Sequence, residues 1–205
     1  MLFTKEVDRR IGLLHSENID TSDKSIIIKE TVTEGRAEII LELENPCIGF
    51  KKLAECRLRY FQCQQCADYV LFELVNNAWY LHIFELKRSV TSSSWNKAKQ
   101  QFLGGLLNAL CIAGYLGITI KSENVKIYTC YRNDKIAEPS EPIELRVKIG
   151  NREKNAAIND WFESSITINA YESITCEHVK VQLDKETGEG LLQLQHSRLN
   201  SAMIP

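Results

Sequence analysis

The chain has 205 residues, of which 44% are apolar and 25% charged, and its formal net charge at pH 7 is −2. This length suits one well-filled domain and is short for two, so we expect a single domain over residues 1–205. Proteins that grip long nucleic acid without regard to sequence usually carry a basic excess, and the near-neutral charge argues against that class. An enzyme with one local basic patch is still compatible with this charge, because such an enzyme must also release its substrate.

The sequence predicts a cytoplasmic protein with no membrane partner. The longest apolar stretch, from Phe102 to Ile120, contains four glycines and an asparagine, which favours a buried helix over a membrane span. The first residues mix acidic and basic side chains and lack the basic-then-apolar order of a signal peptide.

Seven cysteines in a chain without an export signal are expected to be free thiols. Cys63 and Cys66 form a CxxC, but a zinc or iron–sulfur site would need a second such pair or added histidines. On a helix over residues 50–65, Cys56, Cys63 and Cys66 fall near one stripe, where small thiols pack well in a core. Core packing is the favoured interpretation, and a metal or redox role is the alternative.

The first 65 residues predict a short helix, a hairpin and a longer helix. The short helix is expected over Val7–Leu14, and Ser25–Glu30 and Ala37–Leu43 flank the turn residues 33–36 as the two strands of a hairpin. Residues 50–65 lack proline and glycine, and their apolar residues recur at the spacing of a helix. These apolar residues are Phe50, Leu53, Ala54, Leu58 and Phe61.

A second hairpin and a long helix follow. Asp68–Val75 and Ala78–Arg88 are predicted strands joined by Asn76-Asn77, since asparagine tolerates the positive φ of a two-residue primed turn. Residues 91–94 are good helix N-caps, and a helix with one apolar face is predicted after them. That face consists of Trp95, Ala98, Phe102, Leu106, Ala109, Leu110, Ala113 and Leu116. Gly104-Gly105 inside this helix costs roughly 1 kcal/mol per glycine, which is bearable where the helix must lie close to a sheet.

The rest of the chain is predicted to be mostly strand. After the strand Val125–Tyr131 and a loop with two prolines, the predicted elements are the strand Ile143–Ile149, the short helix Asn155–Glu163, and the strands Ser165–Ala170, Val179–Leu183 and Leu191–Gln195. The order helix, strand, strand, helix, strand through residues 50–131 predicts an α/β fold. Residues 1–49 and 143–205 are expected to form β-rich extensions.

The second hairpin brings ionisable residues together at one end. With Asn76-Asn77 as a two-residue turn, Val75 pairs with Ala78, and counting outward places Asp68 opposite Glu85 on one face. Lys87 shares that face because side chains alternate along a strand. The rest of the face is apolar and consists of Val70, Phe72, Leu74, Trp79, Leu81 and Ile83.

Two opposed carboxylates at the end of an apolar face repel each other, and a divalent cation would offset the repulsion. Mg²⁺ commonly takes one or two carboxylates and keeps water and substrate phosphate as its other ligands. Such an ion can activate a water and stabilise charge on phosphorus, while Lys87 orients that water or neutralises the phosphate. We therefore predict a Mg²⁺ or Mn²⁺ site held by Asp68 and Glu85.

This pattern resembles the PD-(D/E)xK superfamily, which includes restriction endonucleases, Holliday-junction resolvases and RecB-like exonucleases. The resemblance covers residues 50–131 and rests on Asp68 at the start of one strand and Glu85-Leu86-Lys87 at the end of the next. A helix and a further strand follow, as in that superfamily. Ala67 departs from the pattern, since it stands where the family motif has proline, a position that many members vary.

The resemblance implies a restriction-endonuclease-like core in which Asp68, Glu85 and Lys87 are catalytic. It also implies a helix glutamine after the lysine, for which Gln101, or failing that Gln100, is the candidate. A further acid on the helix before the Asp strand is implied as well, and Glu55 is placed there. Hydrolysis of nucleic acid is the implied activity, with DNA favoured over RNA as the substrate.

Simpler explanations stay open for these residues. Asp68, Glu85 and Lys87 also fit the solvated end of a strand. Gln101 and Glu55 also fit plain polar positions on helices.

Four further polar residues near the hairpin have two interpretations each. Arg88, Lys97 and Lys99 fit a local edge that contacts phosphate, and they fit a solvated helix start equally well. His82 lies one residue off the proposed face and is expected to be a partly buried side chain rather than a ligand.

Three functions from different classes are compatible with the sequence. The first is a metal-dependent nuclease that gains part of its binding energy from a second copy or another subunit. The second is a nuclease-like fold that binds or inhibits without turnover, and the third is an unrelated α/β interaction protein. Metal-dependent cleavage separates the first from the second, and metal between Asp68 and Glu85 separates both from the third.

Overall fold

Ten strands form two sheets in the computed structural model, which describes residues 2–30, 37–56, 58–136 and 159–194. The seven-stranded sheet has the spatial order β1 (Ile19–Ser22), β4 (Cys47–Lys51), β5 (Tyr69–Val75), β6 (Ala78–Val90), β7 (Ile120–Asp134), β9 (Ser173–Gln182), β8 (Ser165–Asn169). The three-stranded sheet has the order β10 (Glu189–Leu194), β3 (Ala37–Leu43), β2 (Ser25–Glu30). The helices are α1 (Lys5–Ile11), α2 (Leu53–Cys56) and α3 (Ser92–Leu116), with a 3₁₀ turn at Ser16–Asn18. This mixture of helices and strands confirms the predicted α/β class, and more residues lie in strands than in helices.

The β5–β6 hairpin forms around the predicted turn. Asn76 and Asn77 both have positive φ, 49° and 65°, as a primed two-residue turn requires. The ladder pairs Val75 with Ala78 and continues in the predicted register to Tyr69 and Phe84, where it ends. Asp68 therefore lies one residue outside the ladder, and not in a ladder pair with Glu85.

The long helix α3 begins and packs as its sequence predicts. Thr91 caps it, and the Thr91 and Ser94 side chains each accept a hydrogen bond from the other residue's backbone N–H. The predicted apolar face is buried except for a partly exposed Leu110. A Cβ on Gly104 would lie 1.7 Å from the backbone oxygen of Gln65, and one on Gly105 would lie 2.8 Å from Ala67 Cβ. The two glycines thus let α3 lie directly against the segment that leads into β5.

The two faces of the large sheet carry separate hydrophobic cores. Because α3 links β6 to β7, these two strands are parallel, and β7 is also parallel to β9. The face that α3 covers includes Val70, Phe72, Ile83 and Ile127, whereas Leu71 packs on the opposite face against the three-stranded sheet. Residues of even and odd number along β5 therefore point to different layers.

The predicted helix over residues 50–65 is wrong. Phe50 lies in β4, which pairs antiparallel with β5, and among the described residues of this range the helical ones are Leu53–Cys56. Lys52, between β4 and α2, has a φ of 58°, so the extended backbone of β4 ends there. Pairing with β1 and β5 satisfies the backbone of residues 47–50 along both edges, a gain that local helical spacing cannot reveal.

The other predicted elements are largely present. The hairpin strands match β2 and β3 residue for residue, and the short N-terminal helix is α1, which begins two residues earlier than predicted. The strand Val125–Tyr131 is part of the longer β7, and the three last strands correspond to β8, β9 and β10. The predicted strand Ile143–Ile149 lies outside the described residues, and of the helix Asn155–Glu163 only residues 159–162 are described as helical. In the described ranges, no helix has both the length and the apolar character that crossing a bilayer demands.

Candidate active site

Glu85 and Lys87 lie two residues apart on β6 and face α3. Glu85 is completely buried, and the Lys87 ammonium group forms an ion pair with its Oε1. Lys87 Nζ also donates to Gln101 Oε1 on α3 at 2.9 Å. Gln101 in turn donates from Nε2 to the backbone oxygen of Cys66 at 3.4 Å, so it links the lysine to the segment before β5.

Asp68 lies at the entrance to β5, beside the other acid. Its backbone N–H donates to the Phe84 oxygen at 3.1 Å, and its Oδ2 accepts from the Leu86 N–H at 2.7 Å. The carboxylate therefore takes the place of a ladder carbonyl where the hairpin pairing stops. Asp68 is half-buried, so the site opens to solvent on its side.

Both acids have raised pKa values. Burial raises the pKa of Glu85 to about 8, and the negative charge of Asp68 adds to the effect, while Lys87 opposes it. Burial likewise raises the pKa of Asp68 to about 6, against the lowering effects of the Leu86 N–H and the Lys87 charge. Asp68 and Glu85 follow directly on the last ladder pair, Tyr69 and Phe84, so the register brings the two acids together at this end of the hairpin.

A third acid, Glu30, reaches this site from the three-stranded sheet. Its side chain lies beside Asp68, and its negative charge raises the pKa of that carboxyl group. Glu30 is the last residue of β2, and the packing of the two sheets brings that strand end next to β5. Nothing near Glu30 in the chain signals this long-range contact, so local sequence patterns do not predict it.

The donor set fits a divalent cation of the Mg²⁺ type. Oε2 of Glu85 is buried and has no hydrogen-bond partner among the described residues, although a buried carboxylate oxygen ordinarily requires one. Hard cations take oxygen ligands, and Asp68 and Glu85 supply two carboxylates at one place. Within residues 2–30, 37–56, 58–136 and 159–194, no group of three or more Asp, Glu, His or Cys side chains is arranged to hold a metal. The two acids would thus leave most metal positions to water and substrate.

The other candidate residues, Arg88, Lys97, Lys99 and Glu55, have ion-paired or exposed side chains. Lys99 forms an ion pair with Asp160 at 2.7 Å, and the side chains of Arg88 and Lys97 are exposed. Glu55 is exposed on the four-residue α2, because the longer helix on which it was placed does not form. Phosphate contact by the three basic residues and a site role for Glu55 therefore remain proposals.

His82 lies on the opposite face of the sheet, as its position in the hairpin predicts. It is fully buried rather than partly buried, with Nε2 2.9 Å from Glu73 Oε2 and Nδ1 3.0 Å from the Tyr128 hydroxyl. These contacts account for both ring nitrogens. His82 therefore belongs to the core between the two sheets and not to the candidate site.

All seven cysteines are free, in line with the sequence. The helical stripe proposed for three of them does not exist, since residues 58–67 are not helical. Cys66 is buried, whereas Cys56 is exposed. Cys63 is partly exposed, and its Sγ lies 3.3 Å from the backbone oxygen of Gln100.

The arrangement of Asp68, Glu85, Lys87 and Gln101 combines a cation-binding pair of acids, an ammonium group and an amide that holds the ammonium in place. Chemically, this set suits hydrolysis of a phosphate ester, because it offers both a place for a divalent ion and a cation for phosphate charge. In comparisons with known proteins, no family model, no curated protein and no solved structure matches this chain.

Proposed function

We propose that this protein is a divalent-metal-dependent nuclease that hydrolyses phosphodiester bonds, with DNA favoured over RNA. The observation that carries the proposal is the fully buried Glu85, whose Oε2 has no partner among the described residues while Asp68 and Lys87 stand beside it. Burial keeps the proton on Glu85 up to its raised pKa of about 8, and ionising this buried carboxyl group requires cations that compensate the charge. Lys87 compensates one oxygen, and a divalent ion would compensate the other.

Each residue has a role that its position supports. Asp68 and Glu85 would hold Mg²⁺ or Mn²⁺, which polarises the phosphate and lowers the pKa of a bound water when present. Lys87 orients the attacking water or neutralises charge on the phosphate. Gln101 positions Lys87 through its 2.9 Å contact, and the Cys66 carbonyl holds Gln101 in turn.

The order of elements around the site supports the same proposal. The acid precedes β5, Glu85 and Lys87 lie in β6, and α3 and the parallel strand β7 follow. This is the sequence of elements by which the chain resembles PD-(D/E)xK nucleases, so we propose a restriction-endonuclease-like core over these elements. The helix expected before the Asp strand is instead the strand β4 followed by the short α2.

The net charge of −2 bears on how substrate is bound. Contacts to many phosphates need a basic surface, which a near-neutral chain provides only locally. We therefore propose that a second copy or another subunit supplies part of the nucleic-acid surface, with Arg88, Lys97 and Lys99 as the local contacts on this chain.

The proposal is tested by titrating Mg²⁺ and Mn²⁺ into the purified full chain with single-stranded, duplex and branched DNA and with RNA. Cleavage should require the metal and should disappear in Glu85→Ala while the circular dichroism spectrum is unchanged. A wild-type protein that cuts none of these substrates with either metal would exclude the nuclease function.

One observation favours the second candidate, a binding or inhibitory module without turnover. Lys87 already neutralises one oxygen of Glu85, so the site is partly balanced without a metal. This function predicts nucleic-acid or protein binding that does not depend on Mn²⁺ and is unaffected by Glu85→Ala. The same metal titration, read out by binding instead of cleavage, distinguishes the two.

A further inference from the structure

A cavity of about 320 Å³ lies between α3 and two segments that precede β5. Its walls come from residues 14–19, from residues 50–56 together with Leu58, and from residues 108–115 of α3. Pockets that bind small molecules occupy about 300–1,000 Å³, so this cavity has room for a compact ring compound. The lining includes none of the residues of the candidate active site, which makes the cavity a separate feature of the molecule.

The walls of the cavity are mainly apolar. Leu58 and Tyr115 line it, and these large side chains are 41% and 42% exposed. An apolar molecule in the cavity would cover surface that water now contacts, which favours binding. The other apolar wall residues are Leu14, Ile19, Phe50, Leu53 and Ile112.

The charges at the cavity favour a neutral ligand. Lys51 lines it, but the Lys51 Nζ already forms an ion pair with Asp20 Oδ1 at 3.0 Å. His15 also lines it, and its Nδ1 lies 3.7 Å from Glu17 Oε1. An anionic ligand would compete with these two carboxylates. A cationic ligand finds no acidic side chain among the described residues of the lining.

The two asparagines of the lining differ in their hydrogen bonds. Asn108 uses both amide atoms, since Oδ1 accepts from the Leu58 N–H at 3.3 Å and Nδ2 donates to the Gly104 oxygen at 2.8 Å. Asn18 places Nδ2 3.7 Å from Cys56 Sγ, but its buried Oδ1 has no partner in the described part of the chain. A buried acceptor without a donor is unfavourable. A ligand with one N–H or O–H group would therefore gain affinity by donating to Asn18.

We propose that this cavity binds a small, neutral, mostly apolar molecule with one hydrogen-bond donor, of the chemical class of indoles and phenols. The ring packs against the apolar walls, and the donor satisfies Oδ1 of Asn18. Binding of this kind does not depend on the proposed nuclease function.

Indole and indene are a matched pair of probes, because they have nearly the same size and shape and only indole carries an N–H donor. Titration of the ¹⁵N-labelled full chain, followed by NMR chemical shifts, measures both dissociation constants. Indole should bind at least about fivefold more tightly than indene, the smallest gain expected when a donor satisfies a buried acceptor.

Asn18→Leu removes the acceptor and keeps a side chain of similar volume. It should lower the affinity for indole to that for indene and leave indene binding within about twofold of wild type, because the apolar walls remain. Asn96→Leu is the matched control, since Asn96 is exposed on α3 and lies outside the lining. This control should keep the preference for indole.

Urea denaturation identifies the variants that fold, and Cys111→Phe serves if Asn18→Leu does not fold. Cys111 lines the cavity from α3, so a phenyl ring there takes up part of the space for the ligand. Both probes should then bind at least about fivefold more weakly, because the ligand loses buried apolar contact.

The thiols of the chain report where the probe binds. Cys56 and Cys111 are exposed and line the cavity, whereas Cys63 is partly exposed and lies outside the lining. Saturating indole should slow the alkylation of Cys56 and Cys111 by N-ethylmaleimide at least about threefold, because thiol reactivity depends on access. The alkylation rate of Cys63 should not change. Mass spectrometry of the digested protein measures all three rates.

Indole-selective binding that Asn18→Leu abolishes, with protection of Cys56 and Cys111, is the expected result. Four results would overturn the proposal: no binding of either probe, equal affinity for the two probes, a preference for indole that persists in Asn18→Leu, or unchanged indole affinity in Cys111→Phe. Equal protection of Cys63 would also overturn it, since the probe would then bind elsewhere. None of these results bears on Mn²⁺ binding or cleavage, so the proposed function is tested separately.

Discussion

The hairpin of β5 and β6 buries one glutamate on each of its two faces, and the carboxyl groups of these two glutamates have very different partners. Glu73 on β5 faces the three-stranded sheet, where Asn45 Nδ2 donates to Oε1 at 2.8 Å and His82 lies 2.9 Å from Oε2. Glu85 on β6 faces α3, where Lys87 occupies one oxygen and the other has no partner among the described residues. Both carboxyl groups are fully buried.

This contrast separates a structural buried acid from a candidate functional one. Around Glu73 the neighbours close a network that includes the Tyr128 hydroxyl 3.0 Å from His82, so each group has a partner. Around Glu85 a second acid, Asp68, adds repulsion, and the site opens to solvent where Asp68 is half-buried. Burial of a glutamate is therefore not itself a sign of function, whereas unused binding capacity beside a like charge is.

The largest expected difference between the two faces is in catalysis. Glu85→Gln should lower cleavage at least about 10³-fold, or roughly 4 kcal/mol in the barrier, because the amide cannot neutralise a metal ion. Glu73→Gln, the matched change on the other face, should keep cleavage per folded molecule within about threefold. Equal losses in both variants, measured as initial rates with Mg²⁺, would show that the two glutamates do not differ in role.

The second expected difference is in the free energy of unfolding, where Glu73→Gln should have the larger effect and Glu85→Gln the smaller one. Glu73→Gln places an amide NH₂ where Asn45 and His82 meet a carboxylate, and breaking a buried network of this kind costs about 3 kcal/mol. Glu85→Gln leaves Lys87 its contact with Gln101 and should change the free energy of unfolding by less than about 1 kcal/mol. Urea titration followed by tryptophan fluorescence measures both. A Glu73→Gln protein as stable as wild type contradicts the structural role.

Local sequence patterns predict the site to the extent that it depends on a single hairpin. The Asn76-Asn77 turn sets the register of β5 and β6, and the turn therefore places Glu85 and Lys87 on the face that α3 covers. The capping residues Thr91 and Ser94 likewise determine where α3 begins. These features arise from residues that are close in sequence, so their spacing carries the information.

Contacts between distant segments explain what the sequence could not predict. Glu30 meets Asp68 because two sheets pack together, and Thr129 is the ladder partner of Glu85 because β7 aligns in parallel with β6 after the 25-residue helix α3. The helical spacing of residues 50–65 was misleading because β4 pairs with strands on both sides. Gly49 assists that pairing, since a Cβ there would lie 1.8 Å from the Tyr69 hydroxyl.

A third prediction uses the glycines of α3 to disturb only the Glu85 face. In Gly104→Ala the new methyl group meets the Gln65 backbone oxygen at 1.7 Å, so the helix or the segment before β5 must move, at about 2–3 kcal/mol. That segment includes Cys66, the anchor of Gln101, so cleavage should also fall. Gly114→Ala is the control, because nothing lies within 4 Å of its Cβ and the helix should gain up to about 1 kcal/mol. Thermal melts and cleavage rates of the two variants test this, and equal melting temperatures would contradict it.

The smallest expected effect is the pH dependence of stability without metal. The pKa of Glu85 is about 8 in the folded protein and 4.5 for the free group, so between these values the folded state keeps a proton that the unfolded state has lost. The free energy of unfolding must then fall as pH rises.

The window from pH 6.5 to 8 isolates Glu85. Below it, Asp68 with a pKa of about 6 also titrates, and His178, whose pKa is lowered from 6.5 to about 4, changes stability in the opposite direction. Within the window, stability should fall by at most about 2 kcal/mol. Glu85→Gln should remove this slope, whereas Glu73→Gln should retain it. Saturating Mg²⁺ binds the ionised carboxylate and should flatten the wild-type slope. If the metal-free slope is the same in wild type and Glu85→Gln, Glu85 is already ionised and compensated within the folded chain, which contradicts the prediction.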